Sequence, residues 1–270
     1  MNDHAVCQAW DMIDRQADLS YNRRSMRLFP TPAYRDVPEL LDEPGRATPQ
    51  DLAGTLRDIR RANIFGLGTW VVLRHLNSLL RDYDPRDTVR ILDLATGSGD
   101  IPEEVCRWAR RRGWHVEIVL TDISEEIVRV ARKRIERAGF GESVSFVACD
   151  ATSVPFADRS FDVTICSLAF HHLGPDQAVT ALREMKRVSR VGYIVNDIYR
   201  SQGAWYVAWL LTRLTTGNRL TRHDGPASVL RAFTPRELFA ISHRAGVCAR
   251  VFTHPFWRMA LVGKSSGPVL

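Results

Sequence analysis

Ile91-Leu-Asp-Leu-Ala-Thr-Gly-Ser-Gly-Asp100 decides the fold: a buried apolar strand runs straight into an acidic, glycine-bearing turn and then a helix. Asp100 is expected to cap that helix, Pro102 suits its first turn, and Glu103 and Glu104 complement the positive end of its dipole. Ile101, Val105, Trp108 and Ala109 fall on one face, and Gly113 ends the element. Val116-Glu-Ile-Val-Leu120 reads as the next strand and finishes at Thr121-Asp122. An acidic residue about 20 residues beyond the glycine turn is where a doubly wound fold grips ribose hydroxyls.

Two ligand classes use that geometry. A dinucleotide fingerprint reads Gly-x-Gly-x-x-Gly, with helix amides facing a diphosphate. Here Gly97 and Gly99 are present, but Pro102 occupies the third position and Asp100 would set a carboxylate against the phosphate. S-adenosylmethionine has no phosphate and carries an ammonium and a sulfonium, so acidic residues at the turn favour it and disfavour a nicotinamide cofactor.

The alternation continues along the chain. Ser124 caps a helix carrying Ile127, Val130, Ala131, Arg134, Ile135 and Ala138, with Gly139 beyond its end. Val144–Ala148 reads as a third strand ending at Cys149-Asp150-Ala151, and Phe161–Cys166 as a fourth. Ser167-Leu-Ala-Phe-His-His-Leu173, a helix from about Pro175 to Arg187 and a fifth strand at Val191–Asn196 follow. Strand and helix at this spacing predict a parallel sheet covered on both faces, with ligands beyond the carboxyl ends of the strands. Gly97, Asp122, Asp150 and Ser167 fall there.

On these residues the chain resembles the class I S-adenosylmethionine-dependent methyltransferases, and within them the small-molecule branch typified by ubiquinone and menaquinone biosynthesis. The resemblance spans roughly Leu52 to Gly263. It rests on Asp93–Gly99, Asp122, Cys149-Asp150-Ala151 and the stretch from Phe161-Asp162 through His171-His172-Leu173. It implies a Rossmann-like α/β fold, doubly wound, with a mostly parallel seven-stranded sheet, and S-adenosyl-L-methionine as cofactor. Asp93, Ala95, Thr96, Gly97 and Gly99 would wrap the methionine moiety. Asp122, with Ile123 beside it, would hold the ribose; Asp150 and Ala151 would reach the adenine; Ser167, Leu168 and Ala169 would line the floor. Ala95 departs from the glycine that many members carry at its position.

The chain has 270 residues, 45% of them hydrophobic, enough to bury a full core. No long apolar run would span a bilayer, and Met1-Asn-Asp-His-Ala-Val is no signal sequence, so a cytoplasmic protein is expected. Cys7, Cys106, Cys149, Cys166 and Cys248 are scattered, which indicates neither a disulfide framework nor a zinc site. The net charge of +6 is carried almost wholly by arginine, Lys133, Lys186 and Lys264 being the only lysines. Arg110-Arg-Arg112 and Arg129–Arg137 sit on the flanking helices, away from the strand ends. Ser167-Leu-Ala-Phe170 also lacks the Asn-Pro-Pro-Tyr-like turn that stacks a flipped base, so nucleic acid is disfavoured as a substrate.

Outside the sheet, residues 1–85 are expected to form an N-terminal cap, and 86–270 the cofactor-binding core with a lid insertion at about 200–232. Pro30, Pro32, Pro38, Pro44 and Gly45 make the first part irregular apart from a short helix near Trp10–Leu19. From about Pro49 to Arg81 the spacing of Leu52, Leu56, Ile59, Ile64, Val71, Val72, Leu76 and Leu79 is helical, broken at Gly66 and Gly68. Arg61 and Asn63, just before the break, are candidate cofactor contacts. Ala204-Trp-Tyr-Val-Ala-Trp-Leu-Leu211 reads as a helix over an apolar pocket or against the N-terminal helices, and Arg219–Pro226 as a polar loop. Thr234-Pro-Arg-Glu237 starts a capping-box helix ending at Gly246, and a hairpin around His254-Pro255 completes the sheet.

Methyl transfer from a sulfonium is an in-line displacement, which requires alignment, exclusion of water and, for a hydroxyl or carbon acid, loss of a proton. No metal is required for that. The candidate bases are His171, His172 and His223; His171 and His172 are expected to point different ways, so that at most one of them reaches substrate. Asp197 is a further candidate, and Arg200, Arg222 and Arg231 are candidate clamps for an anionic group. The aromatic lid favours a small, apolar, phenolic or polyketide-like acceptor of secondary metabolism, methylated at oxygen. Carbon methylation of a quinone-precursor ring and a non-catalytic cofactor-binding regulator are the alternatives.

Overall fold

Strands β1 (Val89–Leu94), β2 (Val116–Asp122), β3 (Val144–Ala148), β4 (Phe161–Ser167), β5 (Ser189–Ile198), β6 (Ala249–His254) and β7 (Arg258–Lys264) form one sheet in the order β3-β2-β1-β4-β5-β7-β6. The first five run parallel, and β7 is antiparallel to both β5 and β6. This is the mostly parallel seven-stranded sheet expected from the alternation. The computed structural model describes residues 31–43 and 45–265; Cys7, Trp10–Leu19, Pro30 and Pro44 lie outside the described residues.

Between the strands run α1 (Pro49–Phe65), α2 (Gly68–Leu79), α3 (Asp100–Arg111), α4 (Glu125–Arg137), α5 (Pro175–Val188), α6 (Gln202–Thr215), α7 (Arg219–Arg231) and α8 (Pro235–Arg244). One face of the sheet presents Ile91, Ile118, Val163, Ile165 and Ile194 to Val71, Val72 and Leu76 of α2, Val105 and Trp108 of α3, and Ile135 of α4. The other presents Leu92, Leu94, Tyr193 and Val195 to Leu182 and Met185 of α5 and Leu238 and Ile241 of α8. Alternate residues of one strand thus serve opposite cores. Helix α2 packs inside the first core, whereas the end of α1 and residues 39–42 lie over the strand ends.

Local chemistry sets most boundaries. Thr48 closes a capping box on α1, Ser124 accepts from the Ile127 amide at the start of α4, and Thr234 closes a capping box on α8. The break between α1 and α2 falls at Gly66 and Leu67, the latter left-handed at φ 62°. Asp100 does not cap α3 as expected: the helix begins with it, Gly99 is the N-cap, and no side chain caps the end.

The largest departure is at residues 219–226, expected as a polar loop and found as the first half of α7. Asn218 accepts from the Leu220 and Thr221 amides, and Pro226 sits inside the helix. A mid-helix proline costs about 3 kcal/mol. Burying Leu220 and Val229 returns about 1.5–3 kcal/mol each, so packing outweighs the break. Helix α6 also departs from expectation: it packs on α7, yet Tyr206, Trp209, Leu210, Leu211 and Leu214 are exposed rather than closed over a pocket or the N-terminal helices.

Gly263 faces Tyr193 across the β5–β7 pair, and an added Cβ would lie 2.1 Å from Tyr193 Cζ. Tyr193 is fully buried and cannot swing away. Gly263→Ala is therefore expected to lower stability by about 1–3 kcal/mol, read as a fall in denaturation midpoint with unchanged m-value.

Candidate active site

The turn after β1 is held in a left-handed path by Ala95 (φ 53°), Gly97 (φ 54°) and Gly99 (φ 73°). Gly99 is also tightly packed, since a Cβ there would meet Ala131 of α4 at 3.3 Å and force it to shift by a few tenths of an ångström. Ala95 adopts the same left-handed conformation, which is the physical reason glycine suits that position. The turn is bound to the end of β2: the Gly97 amide donates to Asp122 Oδ2 at 3.1 Å and the Thr96 amide to the Thr121 carbonyl at 2.7 Å. The Ser124 amide donates to Asp122 Oδ1 at 3.1 Å.

Three carboxylates are consequently buried around one turn, Asp93, Asp100 and Asp122, each less than 8% exposed. Burial pushes Asp93 up to about 7, helped by the charges of Asp100 and Asp122 and opposed by a hydrogen bond from Thr96. Burial also raises Asp122, against the hydrogen bonds of the Ser124 and Gly97 amides. A buried site that resists ionisation of its own acids is one that a cationic ligand relieves.

The C-terminal end of α1 closes over this turn. Asn63 is 3% exposed; its Nδ2 donates to Asp100 Oδ2 at 3.0 Å, and its Oδ1 accepts from Arg258 Nη2 at 3.3 Å. Arg258 Nη2 also donates to the Ala62 carbonyl at 3.0 Å, placing a cation at the negative end of the helix. Burial lowers the Arg258 guanidinium to about 10, with the charges of Asp197 and Asp100 opposing that fall. Asn196, at the end of β5, donates to Ser167 Oγ at 2.6 Å. Asn196 Oδ1 and Arg258 Nη1 are buried without a hydrogen-bond partner among the described residues.

A second cluster lies after β4. The His171 amide donates to Asp197 Oδ2 at 3.0 Å, and His171 Nδ1 lies 2.8 Å from Asp197 Oδ1. His172 Nδ1 lies 2.9 Å from Asp42 Oδ2. The two rings are 4.3 Å apart and tilted by 36°, so they face the same way, contrary to the expectation for sequence neighbours. Both Nε2 atoms approach the buried Glu39, each at 3.8 Å. Burial alone would lower His172, but the Asp42 hydrogen bond and the charges of Glu39 and Asp42 outweigh it and leave the imidazole raised to about 8. Burial would raise Asp197, and the facing His171 reverses that and holds its carboxyl below the usual range.

Glu39 and Asp42 come from a strap of irregular chain lying along α7. The Leu40 and Leu41 amides donate to the buried Asp224 carboxylate at 2.8 and 3.1 Å, and Ser228 Oγ donates to Glu39 Oε1 at 2.8 Å. Arg231 donates to Asp42 and to the His172 carbonyl.

The structure therefore gathers Asp93, Thr96, Gly97, Gly99, Asp122 and Asn63 around one turn, with Ser167 nearby at the end of β4. His172 is close enough to Asp122 for its charge to lower the Asp122 pKa. Ile123 follows Asp122 and is 75% exposed. Asp150 is exposed at the end of β3, its Oδ1 taking the Thr152 amide and hydroxyl at 2.7 and 2.8 Å, with Ala151 half-buried beside it. Leu168 is half-buried in a left-handed turn, φ 55°.

Arg61 does not join them: it lies on the outer face of α1, paired with Asp58 at 3.1 Å. His223 lies on α7 rather than in a loop, 44% exposed, with Nδ1 2.9 Å from Asp224. Arg200 is no clamp, since its guanidinium is buried against the Pro32 and Ala232 carbonyls and Glu237. Arg222 is spent on the Thr216 and Arg213 carbonyls, and Arg231 on the strap. Glu39, Asp42 and Arg258 were not anticipated, because no motif marks an acidic residue in irregular chain or an arginine opening a late strand.

Residues 91–192 match the family model described as methyltransferase domain. Over these residues the chain carries a methyltransferase domain. Over 102 residues it is 36% identical to a ubiquinone/menaquinone biosynthesis C-methyltransferase of Hahella chejuensis, covering 38% of this chain and 39% of that protein. A protein of the same name from Xanthomonas oryzae is 38% identical over 103 residues, 38% of this chain and 39% of its own. The match thus spans about two fifths of the length of these relatives. Among solved structures, a SAM-dependent methyltransferase from Aquifex aeolicus shares the fold at TM-score 0.51 and 16% identity, over 70% of this chain and 89% of that one. The magnesium protoporphyrin IX methyltransferase from Synechocystis, solved with bound SAH, does so at TM-score 0.52 and 15% identity, over 74% and 84%.

The residues present fit the methyltransferase cofactor. Its ammonium and sulfonium suit a buried acidic turn, and the unpartnered Asn196 Oδ1 and Arg258 Nη1 supply an acceptor and a donor beside it. Because Asp93 titrates near 7, its full charge appears only above that pH. Calorimetry is expected to show S-adenosylmethionine binding more tightly as pH rises from 6 to 8, and Asp93→Asn to flatten that dependence.

Proposed function

We propose that this protein transfers the methyl group of S-adenosylmethionine to a small, largely apolar phenolic acceptor, at the phenol oxygen. The carrying observation is the pair of imidazoles oriented by Asp197 and Asp42 beside the acidic cofactor cleft. A phenol is a poor nucleophile until it loses its proton, and histidine held by a carboxylate is the usual side chain for that task. Asp122 holds the ribose in this reading, and the Asp93–Gly99 turn holds the methionine.

The relatives named for C-methylation favour a second reading, transfer to a ring carbon of a quinone precursor. Both readings pass through the same phenolate, so the cluster serves either; the ring position facing the sulfonium separates them. Trideuteromethyl S-adenosylmethionine supplied with hydrophobic phenols and hydroquinones decides it, because O-methyl and C-methyl carbons differ in NMR shift. His171→Ala is expected to lower kcat by about 10²–10⁴-fold while leaving the S-adenosylhomocysteine Kd within about twofold. Unchanged kcat would remove the cluster from the reaction. Asp122→Ala is expected to weaken cofactor binding by about tenfold or more, the loss of one charge-assisted hydrogen bond to the ribose.

A further inference from the structure

Glu39, His171 and His172 come together in a way that acid–base chemistry alone does not require. Each imidazole gives its Nδ1 to a carboxylate, His171 to Asp197 at 2.8 Å and His172 to Asp42 at 2.9 Å. An ionised carboxylate only accepts, so each Nδ1 carries the hydrogen, and in the neutral ring Nε2 is left as a bare lone pair. Both Nε2 atoms face the Glu39 carboxylate, at 3.8 Å from Oε1 and Oε2 respectively. With both rings neutral, as metal binding requires, three acceptors converge where Glu39 is 3% and His171 5% exposed, with His172 at the rim, 27% exposed; without an ion, the proton that raises His172 to about 8 offsets them. Lone pairs gathered out of water repel one another unless a positive species sits among them.

We infer that Glu39, His171 and His172 bind a divalent transition-metal ion at the acceptor side of the cofactor cleft. The one ligand atom from each residue falls within 4.8 Å of the other two. Ligand bonds of about 2.0–2.2 Å set neighbouring donor atoms about 3–3.5 Å apart, so the cluster needs to close by no more than about 1–2 Å. Two imidazoles and one carboxylate are a donor set for zinc, iron(II), cobalt or nickel rather than for calcium or magnesium. Asp197 and Asp42 supply the outer carboxylates that fix ring orientation and tautomer in such sites. Ser228, donating to Glu39 Oε1 at 2.8 Å, does the same for the carboxylate.

Three protein ligands leave at least one position open, as in catalytic rather than structural sites. With the ion bound, the imidazoles are ligands and no longer bases, so the ion takes over the activation: the open position suits an acceptor oxygen bound as its anion, with the hydroxyl proton released to solvent. The inference rests on the methyl-transfer reading for this last step, while the ion site itself stands on the cluster.

The test uses the full chain purified without metal-affinity steps. Its metal content is measured by mass spectrometry, and the chelator-stripped protein is then titrated with cobalt(II), whose visible bands report coordination by nitrogen and oxygen. The site predicts one equivalent of ion and a saturable cobalt spectrum, lost in Glu39→Gln. Asp42→Asn is expected to fold and to weaken cobalt binding by about 10–100-fold through its effect on His172. A wild-type protein that binds S-adenosylhomocysteine yet retains no metal and gives no cobalt spectrum overturns the inference, the cluster then being held by a proton on His172. Stoichiometric cobalt binding without turnover on any phenol would instead uphold the site and sink the function.

Discussion

Buried like charges at one edge of the sheet are the constraint around which the rest of the molecule is arranged. Asp93, Asp100, Asp122, Asp197 and Glu39 are all less than 8% exposed. A buried carboxylate is costly unless hydrogen-bonded or paired. The fold compensates them one by one: backbone amides for Asp122, Ser98 and Asn63 for Asp100, His171 for Asp197, Ser228 for Glu39. Asp93 receives least and sits near 7 as a result. Parallel strands make this edge unavoidable, because their carboxyl ends all point the same way and the chain must turn there.

That compensation explains how the N-terminal region docks. Asn63 satisfies Asp100 only if the last turn of α1 lies over the glycine turn, and Arg258 then ties α1 to the first residue of β7. The helix thus depends on the charges it covers. The same logic orders residues 39–42, whose amides and carboxylates are shared with Asp224, Ser228 and Arg231 of α7. A helix and a strap distant in sequence complete a site whose base is the strand ends. The arrangement gives the cleft two chemically distinct halves. Around the glycine turn it is acidic and matched to a cation. Beyond β4 it is made of imidazoles oriented by carboxylates and matched to proton or ion chemistry. His172 couples the halves, since its charge is felt at Asp122.

The sequence by itself determined the sheet, the glycine turn and the acidic half of the site. Those rest on local periodicity, turn chemistry and residues placed at strand ends: Gly97 and Gly99 must be left-handed, and Asp122 must fall where β2 stops. Caps at Ser124 and Thr234 were legible for the same reason, each involving residues three apart. Tertiary structure alone decided the histidine–carboxylate half. Glu39 lies more than 130 residues from His171, and Asp42 is 130 from His172, so no local pattern announces either. It also decided that residues 219–226 are helical despite Gly225 and Pro226, that Arg61 faces away and that Arg200 is structural. Local preferences amount to fractions of a kcal/mol to a few kcal/mol per residue, and burial of one apolar or charged group is as large, so packing prevails wherever the two disagree.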